Sequence, residues 1–152
     1  MTEAQAPDAA GGHASGRALG VDLGARRVGL ALSDPLRTIA SPLATIPMTS
    51  EGALARSLAD LCRARQVAVA VIGLPLSADG SEGPGCARAR RVAKALEAAG
   101  IHAVLHDERW SSRDAEEALR ETGKTRKSAK GRIDAVAASL VLRSYLEESS
   151  QP

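Results

Sequence analysis

RALGVDLGARRVGLALS, running from Arg17 to Ser33, places two short apolar segments on either side of a glycine-bearing turn. Ala18–Asp22 and Val28–Ser33 have the length and apolar content of strands. The five residues between them, Leu23 to Arg27 with Gly24 in the turn, make the pair a hairpin. Asp22 ends the first strand between Gly20 and Gly24, at the kind of strand end where α/β sheets collect their active crevices.

Downstream of the hairpin, Ile39–Ile46 suits a third strand, which Pro42 restricts to an edge or a bulge. Leu54, Leu58, Leu61 and Cys62 recur at helical spacing within a helix from about Glu51 to Arg65. Val67–Ile72 (VAVAVI) is continuously apolar up to Gly73, as a strand buried on both faces would be. A Gly- and Pro-rich loop, Leu74–Gly85, leads to a helix ending at Ala99, with Gly100 as its C-terminal stop. Ile101–Asp107 is a further strand. Ser111 and Asp114 open the next helix and Gly123 closes it. The last helix runs from about Arg132 to Glu148, with Ile133, Val136, Ala137, Leu140, Val141 and Ser144 as its inward stripe. This order gives an α/β fold: a mixed five-stranded sheet, three strands antiparallel and then two parallel, flanked by helices. Residues 1–16 are small, polar and aperiodic, which predicts a disordered tail ahead of one domain spanning 17–149.

The chain has 152 residues, enough for one domain that buries roughly two-thirds of its unfolded surface. It contains one Trp, one Tyr and no Phe, so the core rests on Val, Ile, Leu and Ala. With so few rings, single-strand stacking platforms are excluded, and any nucleic acid must be gripped by phosphate and shape. Net charge is only +2, yet Arg120, Lys124, Arg126, Lys127, Lys130 and Arg132 cluster against the single acid Glu121. Arg88, Arg90, Arg91 and Lys94 form a second basic run. Cys62 shares a helix face with Leu54 and Leu58 and reads as a buried thiol; Cys86 falls near a helix start. Two cysteines without metal or redox spacing fit a reducing compartment. No apolar run approaches membrane-spanning length and no signal-peptide stretch is visible, which predicts a soluble cytoplasmic protein with no membrane partner.

Three carboxylate positions stand out by location. Asp22 ends a strand, Glu108 follows its neighbour Asp107 at another strand end, and Asp134 falls in the first turn of the last helix, about 60° off its inward stripe. If they converge, their mutual repulsion calls for a divalent cation, and an all-oxygen ligand set selects Mg²⁺ or Mn²⁺. Two such ions roughly 4 Å apart clamp the attacking water and leaving oxygen of a phosphodiester. Each acid also has a plainer reading. Asp22 suits a turn, Asp134 suits a helix N-terminus worth about 0.3–1 kcal/mol, and Asp107-Glu108-Arg109 suits a solvated cluster. The basic stretch before Asp134, with Lys124, Arg126, Lys127 and Lys130, is either a guide for a phosphate backbone or a solvated loop. His106 is a candidate proton carrier beside the acids, and Trp110 a packing residue beneath the site.

Asp22-x-Gly24-x-x-Arg27-x-Gly29-x-Ala31, within GVDLGARRVGLALSD, resembles the opening motif of the YqgF/RuvX family of ribonuclease H-like proteins. VIGLPLSADGSEG (Val71–Gly83), DERWSS (Asp107–Ser112) and KGRIDAVAASLVLRSYL (Lys130–Leu146) agree with that family in order and spacing. One departure is the lack of a polar amide near Ser77-Ala78. The resemblance spans about residues 17–148 and implies a ribonuclease H-like fold with a metal-dependent nuclease site. It implies Asp22, Glu108 and Asp134 as the metal-binding and catalytic acids, with Asp107 assisting. Arg27 and Arg109 would contact phosphate, or else pair with a neighbouring acid and hold the site's shape. The family's substrates are structured nucleic acids, with the 5′ end of precursor small-subunit ribosomal RNA favoured over branched DNA. A pre-ribosomal particle is an implied partner, and the chain would act as a monomer or homodimer. Two rival functions remain at this point. A phosphotransferase of the actin and sugar-kinase type shares the Gly20-Val21-Asp22-Leu23-Gly24 turn but needs two such domains. A non-catalytic nucleic-acid-binding module would keep the fold without needing clustered acids.

Overall fold

A computed structural model gives the structure of the protein and describes residues 16–77, 79–107 and 126–149, with side chains in the last segment from residue 133 onward. The tail before Gly16, Ala78 and the helix expected between Ser111 and Gly123 lie outside the described residues.

The hairpin of the opening stretch is present as β1 (Arg17–Leu23) and β2 (Arg27–Ser33), paired antiparallel with Asp22 opposite Gly29. Gly24 closes the turn: its N–H donates to the Arg27 carbonyl at 2.8 Å. β3 (Ala40–Pro47) pairs antiparallel with β2 and forms one edge of the sheet, with a register shift between Leu30 and Ala31 opposite Pro42. The proline therefore sits at an edge and beside a bulge, where its missing N–H is tolerated. β4 (Val67–Leu74) lies parallel to β1, and β5 (Ala103–Asp107) lies parallel to β4. The sheet order β3-β2-β1-β4-β5 is the mixed arrangement that the sequence predicts.

Two apolar layers form because alternate residues of each strand face opposite sides. Leu19, Val21, Ala70 and Ile72 pack on one side against α1 (Glu51–Ala64) and α2 (Pro84–Ala98), which supply Leu54, Leu58, Val92 and Leu96. Ala18, Ala31, Val69 and Val71 pack on the other side against Ala138, Val141, Leu142 and Leu146 of α3 (Arg126–Ser149). The VAVAVI run is thus buried on both faces. Ser50 caps α1 by accepting from the Ala53 N–H at 3.1 Å. Gly100, at φ +87°, ends α2 as expected, with the Ile101 N–H returning to the Leu96 carbonyl at 2.9 Å.

The last helix departs from the sequence reading in two ways. It begins at Arg126 rather than near Arg132, so the stretch holding Arg126, Lys127 and Lys130 is helical and not a loop. Gly131, costing about 1 kcal/mol relative to Ala, suggests a boundary there, but the Arg, Lys and Ala residues before it propagate a helix well. The inward line is also rotated. Ala137 and Val141 of the expected stripe are buried, and Ala138 and Leu142 wholly so, whereas Ile133, Val136, Leu140 and Ser144 are half-buried. The line of Ala138 and Leu142 takes the centre because the helix backbone lies close against glycines of the sheet, with both residues over Gly20.

Candidate active site

The motif from Asp22 to Ala31 alternates onto a single face of the sheet. A Cβ on Gly20 would meet the Ala138 carbonyl oxygen at 2.7 Å, so Gly20, and with it Asp22 two residues on, faces α3. On β2, Arg27, Gly29 and Ala31 face the same helix. Arg27 bonds to Asp134, Gly29 abuts the Asp134 backbone, and Ala31 joins the cluster around Ala138. The spacing therefore encodes one functional face.

Gly29 joins the acids. It stands opposite Asp22 across the ladder, where antiparallel Cα atoms are about 4.5–5.5 Å apart. Its missing side chain leaves room for the Asp134 carbonyl, which would lie 1.8 Å from a Cβ at that position. Asp22 and Asp134 thus flank one glycine, each partly exposed at the same end of the sheet. Asp134 is not in the first turn of its helix: it stands nine residues in, on the line of Ala138 and Leu142 that faces the sheet. The helix N-terminus explanation for this acid is therefore removed.

Arg27 Nε donates to Asp134 Oδ2 at 2.6 Å, with side-chain exposures of 42% and 20%. Solvent at the Arg27 end screens the pair, which limits its contribution to about 1 kcal/mol. Asp107 ends β5 opposite Leu74 of β4. By strand alternation it shares the α1–α2 face with Ala103 and Leu105, not the α3 face with Asp22. His106 does face α3, but its Nε2 lies 2.9 Å from Ser144 Oγ and its ring packs edge-on to Tyr145, with centroids 6.0 Å apart. Ser144 is ten residues past Asp134, about 15 Å along the helix.

Glu108, Arg109, Trp110 and Lys124 lie outside the described residues, as do the side chains of Arg126, Lys127 and Lys130. Among the described residues no group of three or more His, Cys, Asp or Glu gathers. Two of the three expected acids, Asp22 and Asp134, both stand beside Gly29 on the α3 face. Both are carboxylates, which suits a hard divalent cation rather than a thiolate- or imidazole-preferring one. Two members of the second basic run are paired with acids: Arg91 with Glu51 at 2.8 Å, and Arg90 with Glu82. Ser144, the partner of His106, escaped the sequence reading, because nothing in its spacing distinguishes it from the other residues of the stripe.

The fold and this face can be compared with known proteins. A family model described as "RuvX: Holliday junction resolvase" matches residues 16–148. The chain belongs to the RuvX family. A relative from Anaeromyxobacter sp. (strain K), named "Putative pre-16S rRNA nuclease", is 42% identical over 132 residues, covering 86% of this chain and 96% of that protein. One of the same name from Syntrophus aciditrophicus is 41% identical, covering 89% and 91%. Among solved structures, the Thermus thermophilus RuvC complex with a Holliday junction substrate superposes with a TM-score of 0.54 at 13% identity, covering 87% of this chain and 94% of that one. The fowlpox virus resolvase complex with junction DNA gives 0.57 at 11% identity, covering 89% and 99%. These likenesses establish the ribonuclease H-like fold. The family and the names of its relatives make this RuvX chain a nuclease, a hydrolase of phosphodiester bonds. None of its described helices is long and apolar enough to cross a membrane.

Proposed function

We propose that this RuvX-family chain is a divalent-metal-dependent nuclease that processes the 5′ end of precursor 16S ribosomal RNA in the cytoplasm, acting on the pre-ribosomal particle. The observation that carries the reading is the meeting of Asp22 and Asp134 on either side of Gly29, on the face where α3 crosses the sheet. Asp22, Asp134 and Glu108 are the residues that would hold Mg²⁺ or Mn²⁺. The cation, when bound, would polarise an attacking water and neutralise charge on the phosphate. Arg27 stands on the same face and presents a guanidinium suited to phosphate oxygens. Arg109, Lys124, Arg126, Lys127 and Lys130 are assigned to the phosphate backbone further along the substrate. The names of the curated relatives support ribosomal RNA as the substrate.

The family's description favours a second substrate, four-way DNA junctions. Both readings are tested by offering labelled precursor ribosomal RNA and a labelled junction, with Mg²⁺ or Mn²⁺, to the wild type and to Asp22→Asn. Cleavage of the RNA alone, abolished by EDTA and by the substitution, is the expected result. Cleavage of the junction alone would transfer the assignment to DNA. Salt-sensitive binding of both without cleavage of either would overturn catalysis.

A further inference from the structure

Arg27 does something at Asp134 that neither fold stability nor simple phosphate contact explains. Its Nε–H points at a carboxylate oxygen of an acid expected to hold a cation, at 2.6 Å. The guanidinium end of the pair is open to solvent, with Arg27 at 42% and Asp134 at 20%, so screening keeps its worth to stability modest. A guanidinium and a divalent cation at one carboxylate repel each other, so each weakens the other's hold on Asp134. Arg27 stands at the start of β2 beside the Gly24 turn, and its side chain is 42% open to solvent. A nucleic-acid phosphate arriving at the site would give it a new partner of the same charge and better fork geometry.

We propose that the Arg27 guanidinium and a divalent cation compete for the Asp134 carboxylate through their mutual repulsion, so that Arg27 holds down cation affinity until a phosphate takes the guanidinium away. The inference rests on the metal-dependent reading of Asp134. It makes cation binding and substrate binding mutually reinforcing: whichever arrives first frees a site for the other. A nuclease built this way avoids holding a fully loaded centre away from its substrate.

The test is Mn²⁺ binding, followed by electron paramagnetic resonance or calorimetry, on the full chain without nucleic acid. Wild type, Arg27→Gln, Arg27→Lys and Asp134→Asn are compared. Removing a neighbouring positive charge raises Mn²⁺ affinity by about tenfold in Arg27→Gln. Arg27→Lys, which keeps the charge, stays within about threefold of wild type, and Asp134→Asn loses affinity. A non-cleavable RNA tightens Mn²⁺ binding in the wild type but not in Arg27→Gln. A second readout needs no variant: the Arg27 Nε–H resonance of the wild type leaves its hydrogen-bonded position as Mg²⁺ is added. If Arg27 only braces α3, Arg27→Gln leaves affinity unchanged or weakens it, which overturns the inference and leaves the nuclease reading standing. If no form binds Mn²⁺, the metal reading falls and the inference falls with it.

Discussion

The carbonyl oxygen of Asp134 occupies the space that a side chain on Gly29 would need, lying 1.8 Å from an ideal Cβ. Neither partner is a flexible side-chain end, so both backbones must move to admit a methyl group. Gly29→Ala is therefore expected to destabilise by more than the about 1–3 kcal/mol usual for overpacking. It should also abolish cleavage, since it pushes Asp134 away from Asp22. Urea unfolding beside a cleavage assay checks both. An alanine accommodated with full stability and activity would mean that α3 does not sit on this glycine.

The close approach at Gly29 also shows how far sequence reaches. The hairpin, the doubly buried VAVAVI strand and the Gly100 stop were legible because each is set by local chemistry: period-two alternation, apolar runs, a residue tolerant of positive φ. The single-face spacing of Asp22, Arg27, Gly29 and Ala31 was equally available from alternation. What sequence could not supply is where α3 lands. Ile133, Val136, Ala137, Leu140 and Val141 look like the natural core stripe, and Ala137 and Val141 are buried, yet Ala138 and Leu142 hold the centre because Gly20 and Gly29 let the helix backbone approach the sheet there. That rotation moves Asp134 onto the inward line, and it brings Arg27 against an acid 107 residues away. Nor does periodicity reveal that the basic residues from Arg126 onward already belong to the helix.

His106 is expected to be dispensable for chemistry. Its side chain is 11% exposed, and its Nε2 is engaged with Ser144 at the far end of α3 from Asp134. General acid–base residues contribute about 10²–10⁴-fold in rate. His106→Gln should lose less than about tenfold in kcat, below that range. Ser144→Ala should cost about 1 kcal/mol of stability, the usual worth of one hydrogen bond. A loss of several hundred-fold in kcat for His106→Gln, with the fold intact by circular dichroism, would return the histidine to the reaction.

Cys62 is buried on the inner face of α1, and burial pushes its thiol up to about 11. At neutral pH it is almost wholly protonated and screened by Leu54 and Leu58, both of the same buried cluster. Cys86 is buried as well. Ellman's reagent should therefore label neither cysteine in the folded protein at pH 8 within minutes, and both after addition of guanidinium. Rapid labelling of Cys62 in the native state would show that α1 opens readily from the sheet.

Asp34 organises the connection between β2 and β3. Its Oδ1 accepts from the backbone N–H groups of Thr38 and Ile39 at 2.8 and 2.7 Å, and its Oδ2 accepts from the Thr38 hydroxyl at 2.7 Å. These donors, the Ile39 N–H foremost, hold the carboxyl down at about 2 from an ordinary 3.8. A depressed carboxyl stabilises the folded turn above its unfolded pKa and loses that contribution as pH falls through the folded one. The turn should therefore be intact at pH 5 and loosen between about 4 and 2. The Thr38 and Ile39 amide resonances should report it with a shared midpoint near the Asp34 value of about 2. Asp34→Asn keeps an acceptor oxygen but carries no charge to titrate, so the same two resonances should stay flat across that window. A midpoint at the ordinary carboxyl value in the wild type would mean that the three hydrogen bonds do not hold in solution.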